Sequence, residues 1–383
     1  MYLKSLHLRS FRNYTDRQIE FTAQKTILVG NNAQGKSNLL EAVELLATLK
    51  SHRATRDREL VLDSATIGQV EARVERAYGT SELSVLFRKQ GRRTVSVNRE
   101  KLRRQLDFLG VLNAVQFSSL DLDLVRGAPD CRRSWLDGLL IQLEPVYSSI
   151  LQQYQQVLKQ RNALLKKIRS LKQESQSTGL PENYEPELRL WDQQLAAAGS
   201  RVTRRRARVI KRLTPIAVLW HQRISGATEE LEINYLPNVA WTEDEPSQVQ
   251  QAFLEQIAER RTVEQYQGKT VVGTHRDEIE FTINHTPARY YGSQGQQRTL
   301  VLALKLAELK LIEEVVGESP LLLLDDVLAE LDPNRQQQLL EVIGDRFQTI
   351  ITTTHIDSFN QEWIKDSQIL AVEAGKISEI ILN

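Results

Sequence analysis

The stretch Gly30-Asn31-Asn32-Ala33-Gln34-Gly35-Lys36-Ser37 constrains this chain more than any other. It fits G-x-x-x-x-G-K-[ST], a phosphate-binding loop. Thr26-Ile27-Leu28-Val29 before it is a short, apolar, β-rich run. Ser37 to Leu49 after it places Leu39, Leu40, Val43, Leu46 and Leu49 on the buried side of a helix. Strand, glycine loop and helix are what phosphate binding needs. Gly30 and Gly35 let the backbone turn so that successive N–H groups of the loop, from Asn31 through Gln34, face phosphate oxygens. The helix N-terminus adds partial positive charge. Lys36 is placed to reach the β- and γ-phosphates of a nucleotide, and the Ser37 hydroxyl to ligate Mg²⁺. A glycine turn before an ordinary helix is the plainer reading.

Composition narrows the class. The chain has 383 residues, room for two or three domains, and 41% hydrophobic with 26% charged residues is typical of soluble globular proteins. Net charge is +1, so a DNA-binding surface must come from charge placement, not from a global basic excess. One cysteine, Cys131, excludes an intrachain disulfide framework and a cysteine-rich zinc site. The N-terminus lacks a signal-like apolar core, and no apolar run is long enough for a membrane. The expected location is cytoplasmic, with no membrane partner.

Tyr2 to Leu8, with Leu6 and Leu8 on one face, pairs with a strand carrying Ile19 and Phe21. Between them, Arg12 and Asn13 either touch the adenine or ribose edge of a nucleotide or are hairpin-turn residues. The loop from Ser51 to Arg58 carries Arg53, Arg56 and Arg58, which grip a nucleic-acid backbone or are simply solvated. Val70–Arg76, Leu83–Phe87 and Thr94–Val97 read as strands of a β-rich subdomain. Gln116 ends an apolar run, where a glutamine either ligates Mg²⁺ and senses the γ-phosphate or is a polar edge residue.

From Leu143 to about Gln173 the periodicity turns helical through Val146, Ile150, Tyr154, Val157, Leu164, Ile168 and Leu171, with Arg161 interrupting the seam. A second series runs from Leu188 through Trp191, Leu195, Ala198, Val202, Val209, Leu213 and Ile216 to Trp220. Ser175 to Glu187 joins the two as a polar loop, giving an antiparallel helical hairpin. About thirty helical residues span about 45 Å, so this hairpin is expected as an arm or lid, the alternative being a bundle lying on the head. Arg201, Arg204, Arg205, Arg208 and Arg212 form a helical band without interleaved acids. That band either faces phosphates or is a solvated face. Leu231–Leu236 reads as a strand, Gln248–Arg261 as a helix, and Thr270–Gly273 as a strand leading into Thr274-His275-Arg276-Asp277.

Ser293-Gln294-Gly295-Gln296-Gln297-Arg298 opens an apolar helix with Ser293 as N-cap and Gly295 allowing close backbone approach. Leu321-Leu322-Leu323-Leu324 reads as a strand buried on both faces. It ends in Asp325-Asp326, acids that must coordinate or pair. Asp325 is placed to hold Mg²⁺ through water, and Asp326 to orient or deprotonate the attacking water. Glu330-Leu331-Asp332 follows at dimer-loop spacing. His355 follows the strand Thr349–Thr353, placed to contact the γ-phosphate.

In this order, Gly30–Ser37, Ser51-His52-Arg53, Gly273–Asp277, Ser293–Arg298 and Leu324-Asp325-Asp326 through Asp332 resemble the ABC-type ATPases of the SMC family. In detail the chain is similar to the RecF family of recombination-repair proteins. The resemblance implies an α/β ABC-type ATPase head, a P-loop sheet plus a β-rich lobe, with an inserted helical hairpin. It suggests an N-terminal ATPase lobe over 1–140, an arm over 141–262 and a C-terminal lobe over 263–383. It implies ATP and Mg²⁺ as cofactors, with Ser293, Gly295 and Gln296 as a signature that binds the γ-phosphate from a second copy, and Gln116 as the Q-loop residue. It implies an ATP-dependent homodimer, double-stranded DNA and gap junctions as ligands, RecO and RecR as partners in loading recombinase, and a place in the SOS response.

The wider class has glutamate where this chain has Asp326. Aspartate is one methylene shorter, which predicts slow hydrolysis, a timer more than a motor. Three rival readings fit the sequence less well. A transporter's nucleotide-binding subunit would keep the P-loop and signature closer in sequence. A small-molecule P-loop kinase needs no Ser-Gln-Gly-Gln. A purely architectural SMC-like protein has a much longer arm.

Overall fold

The computed structural model describes residues 1–175, 184–328, 331–344, 346–356, 359 and 361–380. The chain opens with β1 (Tyr2–Phe11), β2 (Tyr14–Glu20), β3 (Lys25–Val29), α1 (Lys36–Thr48), β4 (Ile67–Arg76), β5 (Gly79–Arg88), β6 (Thr94–Val97), β7 (Glu100–Lys101) and β8 (Ala114–Ser118). Next come α2 (Asp123–Arg126), α3 (Pro129–Leu143), α4 (Tyr147–Ser175), α5 (Glu185–Ser225), β9 (Leu231–Leu236), α6 (Pro246–Gln267), β10 (Glu278–Ile283), β11 (Thr286–Pro287), α7 (Ala288–Tyr291) and α8 (Gln294–Val316). It ends with β12 (Leu321–Asp325), α9 (Pro333–Ile343), β13 (Thr349–Thr353), α10 (Gln361–Lys365), β14 (Ser367–Glu373) and β15 (Lys376–Glu379). Two compact units result: Met1–Leu122, Ile216–Glu229 and Arg298–Asn383 form the first, Asp123–Pro215 and Glu230–Gln297 the second.

The first unit holds two six-stranded sheets. In the antiparallel one, ordered β2-β1-β4-β5-β6-β7, Leu3, Leu6, Leu8 and Phe11 of β1 are fully buried. Leu3 and Leu6 are an odd number of residues apart. A register shift between Leu3 and Ser5 puts both on the core side. The second sheet runs β15-β14-β3-β13-β12-β8, parallel except at β15. Leu321 to Leu324 are 0% exposed, as expected for a strand covered on both faces. Register aligns Asp325 with Thr352 and Ser118, and Thr353 with Val29, so the carboxyl ends of β3, β8, β12 and β13 lie side by side. In open α/β sheets that edge is where ligands bind.

In the second unit, α4 buries Ile150, Tyr154, Val157, Leu164 and Ile168 of the predicted stripe, and Tyr147 as well, while Leu171 is half-buried. Val146 departs from it: it precedes the helix and is 43% exposed. Arg161 interrupts the stripe for a reason. Fully buried, it ties α4 to α5 and α6 through Asp192 (2.8 Å) and Glu264 (2.5 Å). Residues 176–183 of the predicted polar loop lie outside the described residues. The helix α5 runs on through Pro215, despite the lost N–H donor.

Two expectations are corrected. Thr270–Gly273 is not a strand; side chains take its backbone donors instead. Thr270 N–H donates to Asn162 Oδ1, Val271 N–H to Glu264 Oε1 and Gly273 N–H to Asn238 Oδ1. The arginine band on α5 does meet acids, supplied by other elements. Arg204 and Arg208 share Asp244, and Arg205 pairs with Glu144.

Candidate functional site

The P-loop joins the end of β3 to the start of α1. Gly35 sits at φ 118°, where a side chain is strained, and an added Cβ would lie 2.6 Å from Asn13 Nδ2. At Gly30 a Cβ would lie 2.3 Å from the Val372 carbonyl oxygen. Two turns clamp the loop. On one side Asn13 Nδ2 donates to the Gln34 carbonyl (2.9 Å) and Tyr14 Oη to the Gly35 carbonyl (2.9 Å). On the other, Gly375 N–H donates to the same Gln34 carbonyl (3.0 Å), and Ala374 N–H to Gln34 Oε1 (2.7 Å). Lys36 is 4% exposed, its Nζ donating to the carbonyls of Gly30 (2.6 Å) and Asn31 (3.1 Å).

Arg12 behaves differently from Asn13. Its Nε and Nη2 fork onto Glu41 of α1 at 2.8 and 2.6 Å, and its Nη1 reaches the Glu59 carbonyl. The guanidinium thus ties the first sheet to α1. Ser51 Oγ donates to the same Glu41 and accepts from the N–H groups of Arg53 and Ala54, closing the loop after α1. Arg53 Nη1 reaches Asn38 Oδ1 at 2.9 Å. Burial alone would lower the His52 imidazole. Its hydrogen bond to Glu44, with the charges of Glu44, Glu41 and Asp325, outweighs that and raises it.

At the end of β12, Asp325 Oδ1 accepts from Ser37 Oγ and from Thr352 Oγ1, both at 2.8 Å. Asp326 turns into the left-handed region at φ 55°, with its N–H donating to Thr352 Oγ1. Burial pushes the Asp326 carboxyl up; nearby Lys36 opposes this and Asp325 adds to it. Gln116 shares the sheet face of Ser118, because side chains two apart on a strand point the same way, and Ser118 is in register with Asp325. Its side-chain amide is buried, and neither Oε1 nor Nε2 has a partner among the described residues. His355 is exposed just past β13, its N–H donating to Thr353 Oγ1 (3.2 Å), while Gly30 N–H donates to the Thr353 carbonyl.

The first unit therefore gathers Gly30–Ser37, Asn13, Gln116, Asp325, Asp326 and His355 along one sheet edge and its adjoining loops. Sequence reasoning missed Tyr14, Thr352, Ala374 and Gly375. An Ala-Gly turn between two β runs is legible; its closure onto Gln34 across most of the chain is not. The site offers what Mg²⁺ and a triphosphate require: glycine-lined amides, a buried lysine, and hard oxygen donors on Ser37 and Asp325.

In the second unit, Ser293 caps α8. Gln296 N–H donates to Ser293 Oγ (3.2 Å), and Ser293 N–H to Gln296 Oε1 (2.8 Å), a reciprocal capping box. Ser293 remains exposed, beside the half-buried Gly295. Gln297 is buried, bonded to the Ala288 carbonyl and to Arg126 Nε. Glu330 lies outside the described residues; Asp332 caps α9, accepting from Arg335 N–H.

Comparison with known proteins agrees with this layout. The family model described as RecF/RecN/SMC N terminal domain matches residues 2–378. The chain is 70% identical over 383 residues to the DNA replication and repair protein RecF of Gloeothece citriformis, covering 99% of this chain and 100% of that one. It is 63% identical over 379 residues to the RecF of Synechocystis sp., covering 99% and 98%. A solved structure described as the recombination mediator protein RecF-ATPrS in the RecFOR pathway superposes with TM-score 0.90 at 32% identity, covering 99% of this chain and 98% of that chain. An Smc head domain from Pyrococcus furiosus, at TM-score 0.53 and 15% identity, shares the fold alone. Strand order, P-loop, capped signature helix and full-length similarity agree: the chain belongs to the RecF family of DNA replication and repair proteins, with the fold of an ABC-type ATPase head.

Proposed function

We propose that this chain is an ATP-switched recombination mediator, a homodimer that closes on ATP and Mg²⁺ and then holds double-stranded DNA at gaps. The relatives' description as DNA replication and repair proteins, and the likeness to RecF structures carrying ATP in the RecFOR pathway, support this reading. The observation that carries it is the hydrogen bond between Ser37 and Asp325, which brings the end of the P-loop to the acid at the end of β12.

In this reading the loop amides of Asn31 to Gly35 bind the triphosphate, and Lys36 exchanges the carbonyls it now holds for β- and γ-phosphate oxygens. Ser37, Asp325 and Gln116 are the residues that would hold Mg²⁺, which when bound neutralises phosphate charge. The raised, partly buried Asp326 carboxyl takes a proton from the attacking water, and His355 contacts the γ-phosphate. Asn13 positions the loop through Gln34, and Arg12 acts through Glu41. The exposed N-terminus of α8, with Ser293, Gly295 and Gln296, completes the site on a second copy of the chain. RecR and RecO are the partners this reading carries, in the cytoplasm. Among the described residues no helix is long and apolar enough to cross a membrane.

Sedimentation velocity with and without ATP, and with and without duplex DNA, tests the proposal. The expected result is a dimer only with ATP, retained on DNA while ATP lasts, and a Ser293→Arg variant that binds ATP yet stays monomeric. An unimpaired Ser293→Arg dimer refutes the bridging role.

A further inference from the structure

Between α6 and β10 of the second unit, Gly273-Thr274-His275-Arg276-Asp277 form a tight turn that the nucleotide site does not use. Gly273 sits at φ 134°, ψ 177°, a conformation essentially reserved for glycine, and a Cβ there would lie 2.5 Å from Tyr154 Oη. Buried polar groups hold the turn from every side. Arg206 donates to the Thr274 carbonyl (2.7 Å) and to Asp277 Oδ2 (2.9 Å), while its Nε and Nη2 grip both oxygens of Asp137. Tyr235 Oη and Asn238 N–H donate to Asp277 at 2.5 and 2.9 Å. The His275 ring is fixed between Tyr154 Oη (2.8 Å) and the Thr270 carbonyl (3.2 Å). Buried charges arranged this way seldom add stability over apolar packing. They do hold a displayed group in one geometry.

The displayed group is Arg276. It is exposed, and among the described residues its guanidinium has no hydrogen-bond or ion-pair partner. Arg133 lies beside the turn, with Nη1 donating to the Asp277 carbonyl at 2.8 Å. Arg206, Arg276 and Arg133 outnumber Asp137 and Asp277, and Arg276 carries the surplus to the surface. Four of the turn's five backbone donors are spent. Gly273 N–H goes to Asn238, His275 N–H to Tyr154 Oη, Arg276 N–H to the Gly273 carbonyl and Asp277 N–H to the Thr274 carbonyl. No nest of amides is left for a nucleotide or a free phosphate. A guanidinium presented without such amides suits phosphodiesters, which proteins touch one at a time along a nucleic-acid backbone.

We propose that Arg276, presented by the Gly273–Asp277 turn, is a contact to the phosphate backbone of duplex DNA. This rests on the DNA-binding reading above. The test is anisotropy of a fluorescein-labelled duplex with ATP and Mg²⁺, titrated with the full chain, Arg276→Ala, Arg276→Lys and Arg189→Ala. Arg189 is the control: it removes one exposed cation of the same unit that already pairs with Glu185. Arg276→Ala is expected to weaken duplexes of unrelated sequence equally and to flatten the log–log salt dependence by about 0.9. Between about 50 and 200 mM salt, the parent then loses about 3.5-fold more affinity than the variant. Arg276→Lys and Arg189→Ala are expected to keep the parent slope. A parent slope in Arg276→Ala overturns the assignment. So does loss of ATP-dependent dimerisation in Arg276→Ala without DNA, which puts the turn at the nucleotide. A parent chain that binds no duplex at all refutes the underlying reading instead.

Discussion

Ser37 Oγ donates a 2.8 Å hydrogen bond to Asp325 Oδ1, joining the start of α1 to the end of β12 across 288 residues of chain. Both oxygens are hard donors of the kind Mg²⁺ prefers. Asp325→Ala is expected to leave a folded protein whose ATP affinity no longer responds to Mg²⁺. Isothermal titration with and without the metal reads this directly: the two affinities should converge, and an undiminished metal effect counts against the pairing as a metal site.

Asp326 combines a raised carboxyl pKa with a left-handed backbone at φ 55°. Aspartate tolerates that region better than most residues, which gives a structural reason for the shorter acid. Asp326→Asn is expected to cut single-turnover hydrolysis by about 100-fold or more, the usual scale of acid–base catalysis, with the ATP-bound dimer lasting longer. Asp326→Glu restores reach at some backbone cost and should accelerate turnover. A slower Glu variant would show that backbone geometry outweighs reach.

Tyr14 is fully buried, and its hydroxyl holds the Gly35 carbonyl, while burial pushes its pKa well up so that it stays a neutral donor. Tyr14→Phe removes one hydrogen bond from that carbonyl, which keeps the N–H groups of Asn38 and Leu39, so the loss is at most about 1 kcal/mol. Part of that loss should appear as weaker ATP binding, because the bond fixes the loop and not the core. Denaturation midpoints and nucleotide titration, measured together, separate the two.

Arg161 is 0% exposed between Asp192 and Glu264. Arg161→Leu takes the cation from buried Glu264, leaves Asp192 to Arg261 alone, and is expected to destabilise the second unit by about 3–5 kcal/mol. Urea denaturation followed by tryptophan fluorescence measures it. A near-neutral effect would mean that the carboxylates find other partners.

Burial drops the His275 imidazole to about 4, from an ordinary 6.5. The unfolded chain therefore takes up this proton first. The stability His275 contributes is complete above about pH 6.5 and is lost as pH falls through about 4, amounting to at most about 3 kcal/mol. The Asp277 carboxyl is raised by burial, which works in the opposite direction, so the informative quantity is a difference. His275→Gln should flatten the stability profile between pH 6.5 and 4 relative to the parent, and parallel profiles would contradict the burial effect.

Much of this was readable because local chemistry and tertiary role agree. Gly35 needs a left-handed turn, the four leucines of β12 need cover on both faces, and Ser293 ahead of an apolar helix is an N-cap. The failures share one physical cause. Thr270–Gly273 has the apolar, β-branched look of a strand, yet Asn162, Glu264 and Asn238 satisfy its donors from other elements. The α5 arginines look uncompensated within their own helix; Asp244 and Glu144 are distant in sequence. Arg161 looks like a flaw in an apolar stripe until two acids from other helices are brought to it. Side-chain pairing over long chain separations leaves no periodicity to read.

The strand order β14-β3-β13-β12-β8 has a consequence for biosynthesis. The strand β3 leaves the ribosome well before β13 and β14, which flank it. A nascent chain thus carries a complete phosphate-loop motif whose edges stay bare until β13 and β14 emerge. Truncated products cannot assemble the pocket, and the waiting strand must be kept from pairing with the wrong neighbour.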